Sequence, residues 1–201
     1  VVVLDLSDPA GQPLPAFEAG AHIDIHLKTG LVRQYSLCGD PANAGAYRLG
    51  VLKDPASRGG SVAVHELLQE GREIEISLPR NHFPLASDAR RSILIGGGIG
   101  ITPMVAMAYA LNAHDSDFEL HYCGRSRSRS AFLEELGNAA FASRLNTHFD
   151  DEAADQKLDL PKVLGTPQAG VHVYVCGPAG FMDWVIAQVL EAGYADDHVH
   201  R

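Results

Sequence analysis

The chain has 201 residues, 46% of them apolar, enough to bury one large core or two small ones. Charged residues make up 20% and the net charge is −9, which argues against a general attraction to nucleic acid or to an anionic membrane. No apolar run approaches the roughly 20 residues that span a bilayer, and no basic, apolar and small-residue series marks a signal peptide, so the chain reads as soluble. Cys38, Cys123 and Cys176 are odd in number and widely spaced, without the pairing of a zinc site or disulfide framework; they read as reduced thiols of a cytoplasmic protein. The sequence opens without Met, directly in a β-like run, so the natural N-terminus is expected upstream.

In chain order, Val1 to Leu6, Ala21 to Leu27, Leu31 to Leu37, Tyr47 to Leu52 and Glu73 to Leu78 read as strands between turn residues. The alternation His22, Ile23, Asp24, Ile25, His26, Leu27 has the period of two that marks a strand. A helix over Ser61 to Gln69 interrupts them, with Ser61 placed to cap its first turn and Gly71 to end it. The set predicts a small antiparallel barrel. On the third strand Arg33, Tyr35 and Leu37 share one face and Ser36 takes the other. An aromatic face, a hydroxyl and a guanidinium so close together suit a flat ring bearing a phosphate. Arg58, Gly59, Gly60 and Ser61 open the helix on bare backbone, a second geometry for an anion.

From Arg91 the pattern becomes strand, loop, helix, repeated. Ser92 to Ile95, Phe118 to Cys123 and Val171 to Cys176 read as strands, followed by helices over Pro103 to Asn112, Ala131 to Leu136 and Phe181 to Ala192. Such alternation implies parallel strands with covering helices. The polar segment Ala86 to Arg91, after Pro79 and Pro84, marks the boundary, giving domains at 1–88 and 89–201.

Gly96, Gly97, Gly98, Ile99, Gly100, Ile101, Thr102 and Pro103 lead from a strand over bare backbone into a helix, with Thr102 expected as N-cap and Pro103 at the first helical position. Ile101 stands where the dinucleotide fingerprint has its third glycine. A second loop of this kind is Cys176, Gly177, Pro178, Ala179, Gly180. Both fall at strand C-terminal ends, where α/β sheets bind ligands, although a plain strand-to-helix turn needs the same residues. The basic loop Gly124, Arg125, Ser126, Arg127, Ser128, Arg129, Ser130 lies where a ribose or its 2′-phosphate would be met, with most of its arginines expected in solvent. The ten histidines are expected on the surface or in strands, since neither His22 with His26 nor His198 with His200 forms a metal cluster. Trp184 is expected to pack in the core, and Asp150, Asp151 and Glu152 to form a solvated turn.

Together, RQYSL at 33–37, RGGS at 58–61, GGGIGITPM at 96–104 and CGP at 176–178 resemble the ferredoxin-reductase-like superfamily. PLPAFEAGAHIDIHL, SLPRNHFPL and HYCGRS are similar to the phthalate dioxygenase reductase and vanillate O-demethylase reductase group. The resemblance spans essentially the whole chain, with the motifs in order. It implies an FMN-binding antiparallel barrel followed by a nucleotide-binding α/β domain with a parallel sheet, and hydride transfer from NADH to the flavin. Carried over residue by residue, Arg33 with Arg58, Gly59, Gly60 and Ser61 would hold the FMN phosphate. Tyr35 and Ser36 would lie against the isoalloxazine, with Gly50, Val51 and on to Lys53 running along it by their backbone. Gly98, Gly100 and Thr102 would line the nicotinamide and pyrophosphate site, with Cys176, Gly177 and Pro178 beside the nicotinamide and Arg125 and Ser126 at the adenosine ribose. Ser36, Thr102 and Cys176 would then stand nearest the reacting rings.

The group usually continues into a plant-type [2Fe–2S] domain with Cys, four residues, Cys, two residues, Cys. That spacing does not occur before Arg201, so the domain is expected beyond it, with a Rieske-type oxygenase or demethylase as electron acceptor and the reductase itself a monomer. Two other readings stay open: a freestanding NAD(P)H:flavin or ferric reductase, and a non-catalytic nucleotide-binding module.

Overall fold

The computed structural model describes residues 1–27, 30–54 and 60–201. Its first part holds strands β1 (Val2–Leu6), β2 (Ala21–His26), β3 (Val32–Ser36) and β4 (Tyr47–Val51), helix α1 (Gly60–Leu67), and two short strands, β5 (Glu75–Ile76) and β6 (Arg80–Asn81). All pairings here are antiparallel: β1 with β4, and β2 with β3, β5 and β6. A bridge between Leu37 and Leu49 joins the two sheets into a barrel-like wrap. Ile23, Ile25, Leu37 and Leu49 point into it and are fully buried. The strand expected over residues 73–78 shortens to β5 because Ser77 changes the pairing. Its N–H still donates to the Asp24 carbonyl at 3.0 Å, but its hydroxyl, 2.9 Å away, takes the Asp24 N–H.

The second part contains β7 (Arg91–Gly97), α2 (Ile101–Ala113), β8 (Asp117–Gly124), α3 (Leu133–Asn138), β9 (Leu145–Phe149), α4 (Leu160–Leu164), β10 (Val171–Cys176), α5 (Ala179–Glu191) and β11 (Val199–His200). Five parallel strands lie in the order β11-β10-β7-β8-β9. The chain fills the sheet from β7 outward to β9, then returns to the far side of β7 to lay down β10. The crevice between the C-terminal ends of β7 and β10 is therefore the topological switch point, where sheets of this kind take ligands.

Helix α2 is apolar on every side, and Ile101, Met104, Val105, Ala106, Met107 and Ala108 are fully buried. A helix of that kind must be covered all round. One continuous apolar cluster runs from Ile23, Leu49 and Val64 through Met104 and Met107 to Leu94, Leu120 and Tyr122, so the barrel and the sheet share a core. Each fully buried large side chain in it contributes about 1.5–3 kcal/mol by removal from water. On the other sheet face, Ile93, Ile95, Val173 and Val175 pack with Leu160 and Leu164 of α4 and Val185 and Val189 of α5. Among the described residues, no helix is long and apolar enough to cross a membrane.

Candidate functional site

At the switch point the glycines have different tasks. Gly98 adopts φ +56 with open space around its Cβ position and is exposed, so its conformation, not crowding, calls for glycine. At Gly100 the need is for close approach: a Cβ there would lie 2.3 Å from the Cys176 carbonyl oxygen and 2.5 Å from the Gly177 nitrogen. The two loops identified in the sequence are thus in backbone contact through Gly100. Gly97 supports the same junction, its Cβ position lying 2.6 Å from the Phe181 ring.

Thr102 is not the N-cap. Residues 98–100 form a 3-10 turn that runs straight into α2, so Gly100 takes the cap position and Thr102 is the second helical residue. Its hydroxyl donates to the Ile99 carbonyl at 2.9 Å. Cys176 ends β10 with a thiol that burial pushes above its ordinary pKa, which keeps it protonated. Pro178 occupies the position before α5.

On the barrel side, Arg33 reaches the start of α1. A Cβ at Gly60 would lie 2.1 Å from Arg33 Nε, so bare backbone at the helix start is what lets the guanidinium stem in. Ser61 lies inside the first turn instead of capping it, and its hydroxyl accepts from the Asp54 N–H at 3.1 Å. His65 Nε2 donates to the Val51 carbonyl at 2.9 Å, which docks α1 on the end of β4. Arg58 and Gly59 lie outside the described residues. Tyr35 and Ser36 are half-buried on β3, and burial raises the Tyr35 phenol against the opposing effect of Arg33. The Val51 side chain is buried and Lys53 is exposed, leaving backbone as the surface that the end of β4 can present. A guanidinium beside a helix start is the donor set that a phosphate requires.

The two sides meet at Gly50. Leu37, next to Ser36, bridges to Leu49, and a Cβ on the adjoining Gly50 would lie 2.9 Å from the Thr102 methyl and 2.8 Å from the Phe132 ring. Residues expected at a flavin and residues expected at a nicotinamide are therefore joined through one glycine. Phe132, whose ring edge closes on the same point beside Gly50 as the Thr102 methyl, carries no sequence signal of that role.

The third loop is partly used up by the protein itself. All three arginines are exposed, and Arg127 donates to Glu152 at 2.6 Å and lies over the Phe149 ring. Trp184 is a correction: it is 46% exposed, because Val185 and Val189 define the inward face of α5 and Trp184 stands one position off it.

His22, His26, His121, His148, His172 and His200 lie in strands, and two groups of histidines have partners from distant parts of the chain. His172 stacks on His198 and His200, with His172 Nδ1 2.9 Å from His200 Nε2. On the sheet face away from α2, Arg91, Glu119, His121 and His148 line a cavity of about 440 Å³. There Arg91 donates to Glu119 at 2.5 Å, Glu119 lies 3.1 Å from His121 Nε2, and His121 Nδ1 lies 3.0 Å from His148 Nε2. His148 Nδ1 is 3.1 Å from the Gln156 carbonyl and must donate to it. Two neutral imidazoles bring two protons to three contacts, so one of the two contacts of His121, to Glu119 or to His148, lacks a hydrogen until the pair takes up a proton. Burial lowers the pKa of both histidines, with Glu119 opposing the shift at His121 and the backbone at Gln156 and Lys157 opposing it at His148. Among the described residues no group of three His, Cys, Asp or Glu side chains is arranged to hold a metal ion.

Residues 94–186 match the family model of the oxidoreductase NAD-binding domain. The chain is 55% identical over 185 residues to a vanillate O-demethylase oxidoreductase of Pseudomonas putida, covering 92% of this chain and 58% of that protein. It superposes on the structure of phthalate dioxygenase reductase with a TM-score of 0.90 at 38% identity, covering 98% of this chain and 61% of that one. The flavohem-like FAD/NAD binding domain of nitric oxide dioxygenase from Vibrio cholerae O1 biovar El Tor matches with a TM-score of 0.85 at 26% identity, over 98% of this chain and 90% of that one. The chain thus spans about three fifths of the length of the reductases it matches. With motifs, strand order and identity in agreement over nearly all of its length, the chain belongs to the phthalate dioxygenase reductase and vanillate O-demethylase reductase group of ferredoxin-reductase-like flavoproteins.

Proposed function

We propose that this chain is the flavin- and nicotinamide-binding part of an electron-transfer reductase that uses FMN and NADH. Its electrons go singly, through a [2Fe–2S] domain, to a Rieske-type aromatic-ring oxygenase or O-demethylase. The observation that carries this reading is the meeting, at Gly50 and Thr102, of a phosphate-ready barrel side and a glycine-built switch point. The relatives support it: one is named for vanillate O-demethylation, and another is described as transferring electrons from pyridine nucleotides to [2Fe–2S].

In this reading residues 1–88 form the flavin domain and 89–201 the nucleotide domain. Arg33, the start of α1 and the Arg58 to Ser61 segment hold the FMN phosphate, and Tyr35, Ser36 and the backbone from Gly50 to Lys53 face the ring. Gly98, Gly100 and Thr102, with Cys176, Gly177 and Pro178, seat the nicotinamide half of NADH, and Arg125 and Ser126 its adenosine ribose. The bound cofactors supply hydride transfer and single-electron release. The protein supplies orientation and a dry contact, which is the main catalytic demand. Thr102 already spends its hydroxyl hydrogen on Ile99, and Cys176 keeps its proton, so neither serves as a general base. The unpaired cysteines fit a reducing, cytoplasmic setting, and we take the reductase to be a monomer.

Reconstitution with FMN or FAD, followed by anaerobic bleaching with NADH or NADPH, tests the reading. We expect FMN binding, faster bleaching by NADH, and an Arg33→Ala variant that holds FMN about tenfold or more weakly. Protein that stays colourless with either flavin would overturn it, and equal or better use of NADPH would overturn the choice of nucleotide. Faster reduction of free flavin or ferric complexes than of a [2Fe–2S] protein would favour a freestanding reductase.

A further inference from the structure

We propose that Phe132 is a positioning residue for the flavin–nicotinamide junction, holding Thr102 and Gly50 in register from the adenosine-side loop. This rests on the reading above, in which Gly50 faces the flavin and Thr102 the nicotinamide.

Phe132 has φ +63 and ψ 3, the left-handed region that a bulky side chain occupies at a cost. Nothing about starting α3 requires a phenylalanine there. The Phe132 carbonyl accepts the Leu136 N–H at 2.8 Å, a bond that any residue supplies, and Gly or Asn would adopt the conformation with less strain. What the phenylalanine adds is its ring, whose far edge lies against Gly50. The Cβ position of Gly50 is 2.8 Å from Phe132 Cζ, 2.9 Å from Cε2 and 2.9 Å from Thr102 Cγ2, so ring and methyl close on the same point of β4.

The other end of the device is the loop assigned to the adenosine ribose. Ser130 Oγ donates to the Ser126 carbonyl at 2.8 Å, and Arg127 is held by Glu152. The Tyr122 phenol lies close to Ser130 and to the backbone at Ala131. The segment from Ser126 to Phe132 is therefore a braced strut, anchored where the adenosine half of the nucleotide would sit and ending on the contact between the two ring sites. A strut of that kind fixes the separation and angle of the reacting rings, to which hydride transfer is steeply sensitive.

The test uses the flavin-loaded protein and compares Phe132→Gly, Phe132→Leu and Gly50→Ala with the unaltered chain. Flavin content, NAD⁺ binding and the limiting rate of anaerobic bleaching by NADH are measured. Phe132→Gly relieves the backbone strain and removes the ring; we expect full flavin content, NAD⁺ binding changed less than about threefold, and a limiting rate about tenfold lower. Phe132→Leu, which keeps an apolar wedge, should recover most of that rate. Gly50→Ala pushes on the same contact from the other side and should slow bleaching similarly, with recovery in the Gly50→Ala/Phe132→Leu double variant. An unchanged limiting rate in Phe132→Gly overturns the proposal. So does a parallel loss of flavin, stability and rate that Phe132→Leu does not rescue, because that is the behaviour of core filling alone. Failure of the unaltered chain to bind flavin or be bleached sinks the underlying reading instead.

Discussion

The parallel sheet carries two polar regions built by opposite means. At the ends of β7 and β10 the site is made of backbone, and its geometry depends on side chains being absent at Gly97 and Gly100 and on the positive φ of Gly98. Under α4 the region is made of side chains, and Arg91, Glu119, His121 and His148 depend on how many protons they share. The first offers no group that titrates near neutral pH, its Cys176 thiol being raised by burial; the second does. The contrast teaches that one sheet can open its backbone at a switch point by subtraction and carry a proton-dependent cluster of side chains elsewhere.

The harshest way to break the contrast is to give the backbone site a side chain. Gly100→Val sets a branched carbon against the Cys176 carbonyl and the Gly177 nitrogen, neither of which can swing aside as a flexible side chain could. We expect about 3 kcal/mol less unfolding free energy in urea and no bleaching by NADH. Gly98→Ala, where only the positive φ objects, should cost about 1–2 kcal/mol. Equal costs for the two would show that approach distance is not what holds the loops together.

Acid sharpens the contrast from the other side. The pKa of His121 and His148 lies below its unfolded value, so their contribution to stability is complete above the ordinary histidine pKa and lost as pH falls through the folded one. Stability should therefore fall between pH 7 and 5, by no more than about 1.4 kcal/mol per pH unit for each proton taken up. His22, His172 and His200 are shifted in the same direction and add to the slope. Urea midpoints for His121→Gln should show a shallower slope; one as steep as that of the unaltered chain would remove His121 from the account. The smallest effect belongs to neither region: Trp184→Ser, on the exposed flank of α5, should change stability by less than about 0.5 kcal/mol.

What the sequence made legible follows the same division. The glycine loops and the alternation of strands with helices are encoded locally, in residues whose conformational needs are visible without knowing their neighbours, whereas the approach of Arg33 to Gly60 is implied only by the family resemblance. Strand β9 and the five-residue α4 escaped because neither is long enough to show a period. The Glu119–His121–His148 chain escaped because it depends on β8 pairing with β9, a register that no local pattern states. Trp184 was misplaced because a one-residue rotation of a helix face decides burial. Phe132 left no trace at all, since a left-handed phenylalanine has no sequence signature.

The unbroken apolar cluster from Ile23 through Met104 to Tyr122 has a mechanical consequence. Two bodies joined by a thin, wet seam can open like jaws, but two that share a dry core cannot part without exposing it. The gap between the barrel side and the sheet side is therefore a fixed dimension of the molecule. On the function proposed above, a nucleotide would enter and leave by way of loops at the rim, and the shared core would preset the spacing of the rings.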